Sequence, residues 1–296
     1  MLSGRGPADA PFNDSDARRG HDSSMQTPTD ILVTPRDIHF RTESAWGTAW
    51  LGGDPVATAV FNALSLTFPE GERLFIDSVR AFRGRLSGKL ADDVRAFIAQ
   101  EAIHSREHAS LNAGLDRSRY PVERIETSVR RRLAFLRRLG RMRMLGVTIA
   151  LEHFTAMLAD MFDSDPQLWN GTPEEILRLW RWHAMEETEH KAVAFDVFLE
   201  ATREWSALRR YLFRAHIMAL TSVHFTLDVV RFAGALLEAD GTGRWRARWQ
   251  VTRFLFGEPG IFRKLGPRYR DWYRPGFHPW DYDNRAKLNE WRQQFG

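Results

Sequence analysis

Trp180-Arg-Trp-His183-Ala-Met-Glu-Glu187-Thr-Glu-His190-Lys-Ala-Val-Ala-Phe195 is the stretch whose reading decides the fold. At helical spacing one stripe through it runs Ile176, Trp180, His183, Glu187, His190, Ala194, Val197 and Ala201. Steps of four and three stack these residues on a single helix face. The stripe is apolar above and below, yet three ligand-type side chains occupy its middle. A carboxylate on a core face needs a partner, because burying it alone costs several kcal/mol, on the order of a lost ion pair. No Lys or Arg lies on the stripe, so the partner comes from another helix or is a metal ion.

Upstream, Gly88 opens a helix with the same device: Leu90, Val94, Phe97, Glu101, His104, His108 and Leu111 share a face, again with no cation among them. Pro55 opens an earlier apolar pattern, Val56 to Phe68, which Pro69 is expected to end or kink. From Glu70 onward, Glu72, Phe75, Ile76, Val79 and Phe82 lie together, with Glu72 the lone carboxylate and Glu70 pointing elsewhere. First-turn glutamates also favour the helix dipole, which is the plainer account of Glu72. A third helix is expected from about Pro121 to Phe162, its late face reading Leu145, Ile149, Glu152, Ala156 and Ala159. The alanines beside Glu152 leave space for a ligand. Thr172 and Glu175 form a capping-box pattern ahead of the opening stretch.

Four helices thus each present a core-facing carboxylate: Glu72, Glu101, Glu152 and Glu187. Two of them add Glu-x-x-His, as Glu101 with His104 and Glu187 with His190. At i and i+3 both side chains of such a pair point the same way. A lone Glu-x-x-His says little. Two copies in register with apolar seams, plus one seam glutamate on each remaining helix, follow the pattern of ferritin-like dinuclear carboxylate bundles. Charge agrees, since four carboxylates are balanced by two divalent ions with neutral imidazoles.

The chain has 296 residues, 43% hydrophobic content and no cysteine, which excludes disulfides, thiolate zinc sites, iron–sulfur clusters and Cys nucleophiles. Its net charge of +4 is carried mostly by arginine, crowded between Arg117 and Arg143. Without a recognition motif, these read as a solvated helix face rather than a nucleic-acid surface. Residues 1–36 are polar and expected to be disordered, with no signal-peptide core. Residues 37–205 are expected to form the metal-binding bundle, and 206–296 further helices, Ala207 to Leu220 and Thr221 to Glu238 or one continuous helix across both, with an irregular aromatic tail wrapped around it. His224, Asp228 and Arg231 interrupt the longest apolar stretch, which argues against a bilayer span. The expectation is an all-α cytoplasmic protein.

Residues from about 55 to 200 resemble the ferritin-like di-iron superfamily. Phe68-Pro-Glu-Gly-Glu72-Arg, Gln100-Glu101-Ala-Ile-His104-Ser-Arg-Glu-His108 and Trp182-His183-Ala-Met-Glu-Glu187-Thr-Glu-His190-Lys resemble the bacterial family called "predicted metal-dependent hydrolase". His183-x-x-x-Glu187-x-x-His190 is similar to the last-helix motif of di-iron arylamine N-oxygenases, and that resemblance implies a further ligand role for His183. The candidate metal set is therefore Glu72, Glu101, His104, Glu152, His183, Glu187 and His190. His108 reads as a supporting histidine. His104-Ser-Arg-Glu107-His108 also fits the inverzincin zinc pattern, with Glu107 as base. Glu107 lies off the stripe carrying both histidines, and that reading leaves Glu72, Glu152 and the Glu187/His190 pair idle. His153, Glu189 and Glu107 fall off the ligand faces. His224 and Asp228 are candidates to support the cluster, although satisfied interior groups are the plainer reading, and His216 is unassigned. No tyrosine falls near a ligand, which disfavours tyrosyl-radical chemistry.

These readings imply two divalent ions, iron first and manganese as the alternative. The expected activity is O2-dependent hydroxylation, N-oxygenation or desaturation of a small apolar substrate, with Glu101 and Glu187 as candidate catalytic residues. Phe97, Ala156, Trp180 and Ala194 are expected to line the substrate channel. An external electron donor is required, and a homodimer is the assembly considered. The alternatives are dinuclear metal-dependent hydrolysis and a non-enzymatic metal-binding helical protein.

Overall fold

The computed structural model describes residues 27–42, 49–164 and 166–295, and every regular element among them is helical. In chain order these are α1 Pro55–Arg80, α2 Gly88–Ala113, α3 Val122–Arg138, α4 Arg141–Ser164, α5 Glu174–His190, α6 Val193–Ala201, α7 Ala207–Ala239, α8 Arg244–Phe256, α9 Ile261–Lys264, α10 Gly266–Asp271 and α11 Arg285–Phe295. The most extensive pairing is α1 with α2; α4 packs on α5, and α7 closes against α1 and α4. The apolar seams of α1, α2, α4 and α5 meet in one core.

Local chemistry explains where this differs from the periodicity. The Asp54 side chain accepts from the N–H groups of Val56 and Ala57, and Pro55 occupies the first turn of α1. Pro69 does not end that helix; it sits inside a continuous α1. A proline lacks the N–H that would donate to the carbonyl four residues back, here that of Ser65. Asn112 on α2 donates Nδ2–H to this carbonyl at 2.9 Å. Ser105 on the same helix donates to the Pro69 carbonyl at 3.1 Å. The neighbouring helix thus supplies what the proline removes.

The single helix expected from Pro121 to Phe162 is two, α3 and α4, because Gly140 adopts φ 94° between them. The opening stretch also breaks, after His190. There Lys191 turns into the C-terminal tail, donating to the Tyr282 carbonyl and Asn284 Oδ1, each at 2.8 Å, with its Nζ 3.7 Å from the Trp280 ring centroid. By contrast α7 is one unbroken helix, the continuous alternative that the sequence leaves open. The tail packs on the bundle, burying Trp272, Phe277, Trp280, Leu288 and Trp291, but it is not irregular as expected: between its Pro and Gly breaks the chain forms α8 to α11.

The expectation of a disordered stretch through residue 36 fails for residues 27–36. Ile31 is buried, and Arg36 reaches two buried carboxylates of α5. The low apolar content of this segment hides its purpose, which is to bring charge rather than hydrophobic area. Residues 1–26 and 43–48 lie outside the described residues. Among the described residues two stretches are long and apolar enough to cross a membrane by length and composition, Arg141–Met161 within α4 and the whole of α7. The first is 72% buried inside the protein, the second only 44%.

Candidate metal centre

Glu72, Glu101, His104, Glu152, His183, Glu187 and His190 are brought together by α1, α2, α4 and α5, and all are buried. Three overlapping groups, Glu72/His104/His183, Glu101/His104/Glu187 and Glu101/Glu152/His190, each have one donor atom per residue within 4.8 Å of the others and can hold a metal ion. Glu187 joins the two ends. Its Oε1 lies 3.1 Å from His183 Nε2 and 3.5 Å from His104 Nδ1, while its Oε2 lies 3.5 Å from His190 Nε2. His190 Nε2 is also 3.1 Å from Glu101 Oε1 and 3.5 Å from Glu152 Oε2. The geometry therefore divides the cluster into a Glu72/His104/His183 half and a Glu152/His190 half, with Glu101 and Glu187 shared.

Hydrogen-bond direction shows what this cluster lacks. Asn112 Nδ2 is committed to the Ser65 carbonyl, so its Oδ1 accepts the Ser65 hydroxyl at 2.7 Å. The Ser65 oxygen then accepts from His108 Nδ1 at 2.9 Å, which leaves His108 Nε2 to accept from His183 Nδ1 at 3.0 Å. His183 must therefore present a bare Nε2 to Glu187. His190 is held in the same sense: its Nδ1–H donates to Gln100 Oε1 at 2.9 Å, and Gln100 Nε2 donates to the Thr34 carbonyl and to Glu189 Oε2. His104 donates Nε2–H to Glu186 Oε2 at 3.1 Å. Its Nδ1 has no hydrogen-bond partner among the described residues, nor has His190 Nε2, nor either carboxylate oxygen of Glu72, Glu101 and Glu152.

Imidazole lone pairs facing carboxylate oxygens at such distances repel unless a proton or a metal ion lies between them. The outer N–H of each ring is taken by an acceptor, the arrangement that fixes the tautomer of a metal-ligating histidine. The donor set mixes three imidazole nitrogens with four carboxylates, a combination that divalent metal ions accept. The residues fit a metal centre.

Against protein groups alone, this cluster is electrostatically expensive. Burial holds the Glu72, Glu101 and Glu152 carboxyls well above their usual range, and neighbouring carboxylates add to the effect. Burial disfavours charge on His104, but its hydrogen bond to Glu186 and the nearby Glu187 carboxylate outweigh this and raise it to about 10. Burial, then the nearby His104, takes His183 down to about 4. A divalent ion must therefore displace protons from the three carboxyls and from His104. Because acid favours the protonated forms, metal affinity should rise with pH. Calorimetry in two buffers of different ionisation enthalpy should show net proton release on binding; uptake without release would contradict this assignment.

The next layer was only partly legible in the sequence. His108 takes the supporting position expected for it. Gln100, Ser65, Asn112, Glu186 and Arg36 were not anticipated, and Glu189 was placed off the ligand face, which is correct, yet it is not remote. Arg36 Nη1 lies 3.2 Å from Glu186 Oε1 and its Nη2 2.9 Å from Glu189 Oε1, with Arg292 2.7 Å from the same Glu189 oxygen. The missed signal was Trp182, Glu186 and Glu189, a second buried stripe of α5 with two carboxylates on it.

Glu107 lies off the ligand face as expected: it turns to the Phe40 N–H, Arg106 and His39, which sets the inverzincin alternative aside. Asp228 pairs with Arg132 on α3, and His224 is exposed and bonded to its own helix at the Leu220 carbonyl. Neither supports the cluster, because their face of α7 turns away from the core; His216 is exposed as well. His153 packs against Trp272 and Phe277, off the cluster as expected.

A cavity of about 50 Å³ reaches the centre at His183 and Glu187. Phe61, Leu64, Phe68, Leu158 and Trp180 are among its walls. Of the anticipated channel residues only Trp180 lines it; Phe97 packs edge-on against His190 instead. The volume admits a few waters or the tip of a narrow chain. A bulkier substrate needs the apolar side chains to move.

The fold and site define an all-helical protein whose buried His/Glu clusters can hold metal ions. The chain belongs to the family described as "Predicted metal-dependent hydrolase", whose model matches residues 34–283. No curated protein and no solved structure matches the chain.

Proposed function

We propose that the chain is a dinuclear metal-dependent hydrolase, built on a ferritin-like arrangement of α1, α2, α4 and α5, that acts on a small, largely apolar substrate. The observation carrying this reading is the convergence of bare imidazole nitrogens and unpartnered carboxylates at the end of an apolar cavity. Family membership supports hydrolysis as the reaction. Bound divalent ions, iron or manganese, would lower the pKa of water and polarise an acyl or phosphoryl oxygen.

The chain's own residues do the rest. Glu101 and Glu187 are shared between the two halves and are the candidate catalytic carboxylates. Although burial opposes it, His190, His104 and His183 hold the Glu187 carboxyl well below its usual range, so it stays an acceptor toward the cavity. The aromatic walls exclude bulk water, with Phe68 stacked on His183 at 5.0 Å between centroids.

A second reading, O2-dependent oxidation of the same substrate with an external electron donor, draws on the cavity walls. Thr155 is a polar lining residue, and its hydroxyl donates to the Glu152 carbonyl, so it is not aimed at a developing oxyanion. The two readings separate cleanly. Manganese- or zinc-loaded protein should cleave apolar chromogenic esters under strictly anaerobic conditions. Turnover only by the reduced iron form, with matching O2 consumption, would replace hydrolysis by the second reading; neither activity in metal-replete protein would overturn both.

A further inference from the structure

The outward face of α7 is not explained by the metal centre. Leu208, Leu212, His216, Leu220, Val223 and Leu227 follow one another in steps of four, four, four, three and four, and all are exposed. Leu208 is 65% exposed and Leu227 62%. At 1.5 Å per residue this stripe is roughly 28 Å long. Exposed apolar surface on that scale, interrupted at His216, marks an interaction site.

The charge around it selects the partner. Residues 205–227 contain no Asp or Glu, while Arg209 and Arg210 flank the start of the stripe. α8, which packs along α7, reads Arg244-Trp-Arg-Ala-Arg-Trp-Gln-Val-Thr-Arg-Phe-Leu-Phe256, again without a carboxylate. Its Trp245 is 78% exposed and its Trp249 60%. Two copies of this chain meeting through such faces would set arginine against arginine. An anionic surface suits it, and leucines with tryptophan and arginine are the side chains of helices that lie in a bilayer interface. Spanning is excluded for α7 as it stands, because its other face is committed to α1 and α4.

We propose that the outer face of α7, together with the exposed arginines and tryptophans of α8, docks the protein on an anionic phospholipid bilayer. Leucine side chains enter the acyl boundary and arginines meet lipid phosphates. This does not depend on which reaction the metal centre performs.

The absence of cysteine allows a site-specific test on the full chain. Val223→Cys carries an environment-sensitive fluorophore, and Arg95→Cys, exposed on α2, is the control. Vesicles of phosphatidylserine mixed with phosphatidylcholine should blue-shift the first label and not the second. Binding should be at least about tenfold weaker to phosphatidylcholine alone and should weaken with salt. The variant Leu212→Glu/Val223→Glu/Leu227→Glu should lose vesicle binding while keeping wild-type helicity and metal content. No shift on anionic vesicles, or equal binding by the triple variant, would overturn the proposal. So would a dimer in solution that the triple variant dissolves, since the face would then belong to a second copy.

Discussion

Glu187→Gln should strip metal from both halves of the centre at once. The substitution keeps the side chain's size but removes the charge that faces His104 and His183 through one oxygen and His190 through the other. Loss of a supporting hydrogen bond alone commonly weakens a metal site by about 10–100-fold, so loss of a shared ligand should exceed about 100-fold. Metal analysis after dialysis and direct titration provide the check, and turnover should vanish in parallel. Glu101→Ala and His190→Ala should each empty at least the half they serve. Glu70→Ala is the contrasting case, because Glu70 forms only an exposed pair with Arg73, worth about 0–1 kcal/mol. Its metal content should match the wild type. Equal metal loss from Glu70→Ala and Glu187→Gln would mean that the face of α1 and the face of α5 are wrongly assigned.

Arg36→Ala should have the largest effect on stability. Its guanidinium is 13% exposed and spans Glu186 and Glu189, whose side chains are fully buried. Removing one partner of a buried pair costs about 3–5 kcal/mol, because a charge is left uncompensated. Arg292 still reaches Glu189, so the lower end of that range is expected. Metal affinity should fall too, since Glu186 holds His104 and Glu189 holds Gln100, which holds His190. Lysine should rescue poorly, because one ammonium cannot reproduce the two-pronged contact. Denaturant unfolding and metal titration of Arg36→Ala and Arg36→Lys test both effects. Wild-type stability of Arg36→Ala would show that the segment around residue 36 contributes nothing to the bundle. Helix-face spacing alone predicts that Glu189→Ala, like Glu70→Ala, leaves metal content nearly intact; because Glu189 holds Gln100, which holds His190, it should instead weaken metal binding by about 10–100-fold.

The seven candidate ligands were legible because spacing alone puts them on the inner faces of their helices. Glu101 and His104, or Glu187 and His190, need only 3.6 residues per turn to point together. His183 was harder, since spacing gave it the right face but not its partners; the structure sets it with Glu72 and His104 rather than with His190. The second row of groups was mostly hidden for a different reason. Arg36 lies about 150 residues from Glu186 and Glu189 in sequence, and nothing local in a polar N-terminal stretch marks it as a buried cation. Pro69 left an end or a kink open for a related reason: whether a proline ends a helix depends on whether another element feeds the freed carbonyl, and here Asn112 does.

The sequence by itself determined an all-helical chain, four inward carboxylates, two Glu-x-x-His pairs and the absence of any cation on their faces, because helical periodicity converts spacing directly into direction. Only the tertiary structure decided which donor atoms share a half of the centre, which nitrogen of each histidine is bare, and which arginine answers the second pair of carboxylates. Those depend on what stands opposite each face, and spacing along one helix carries no information about that.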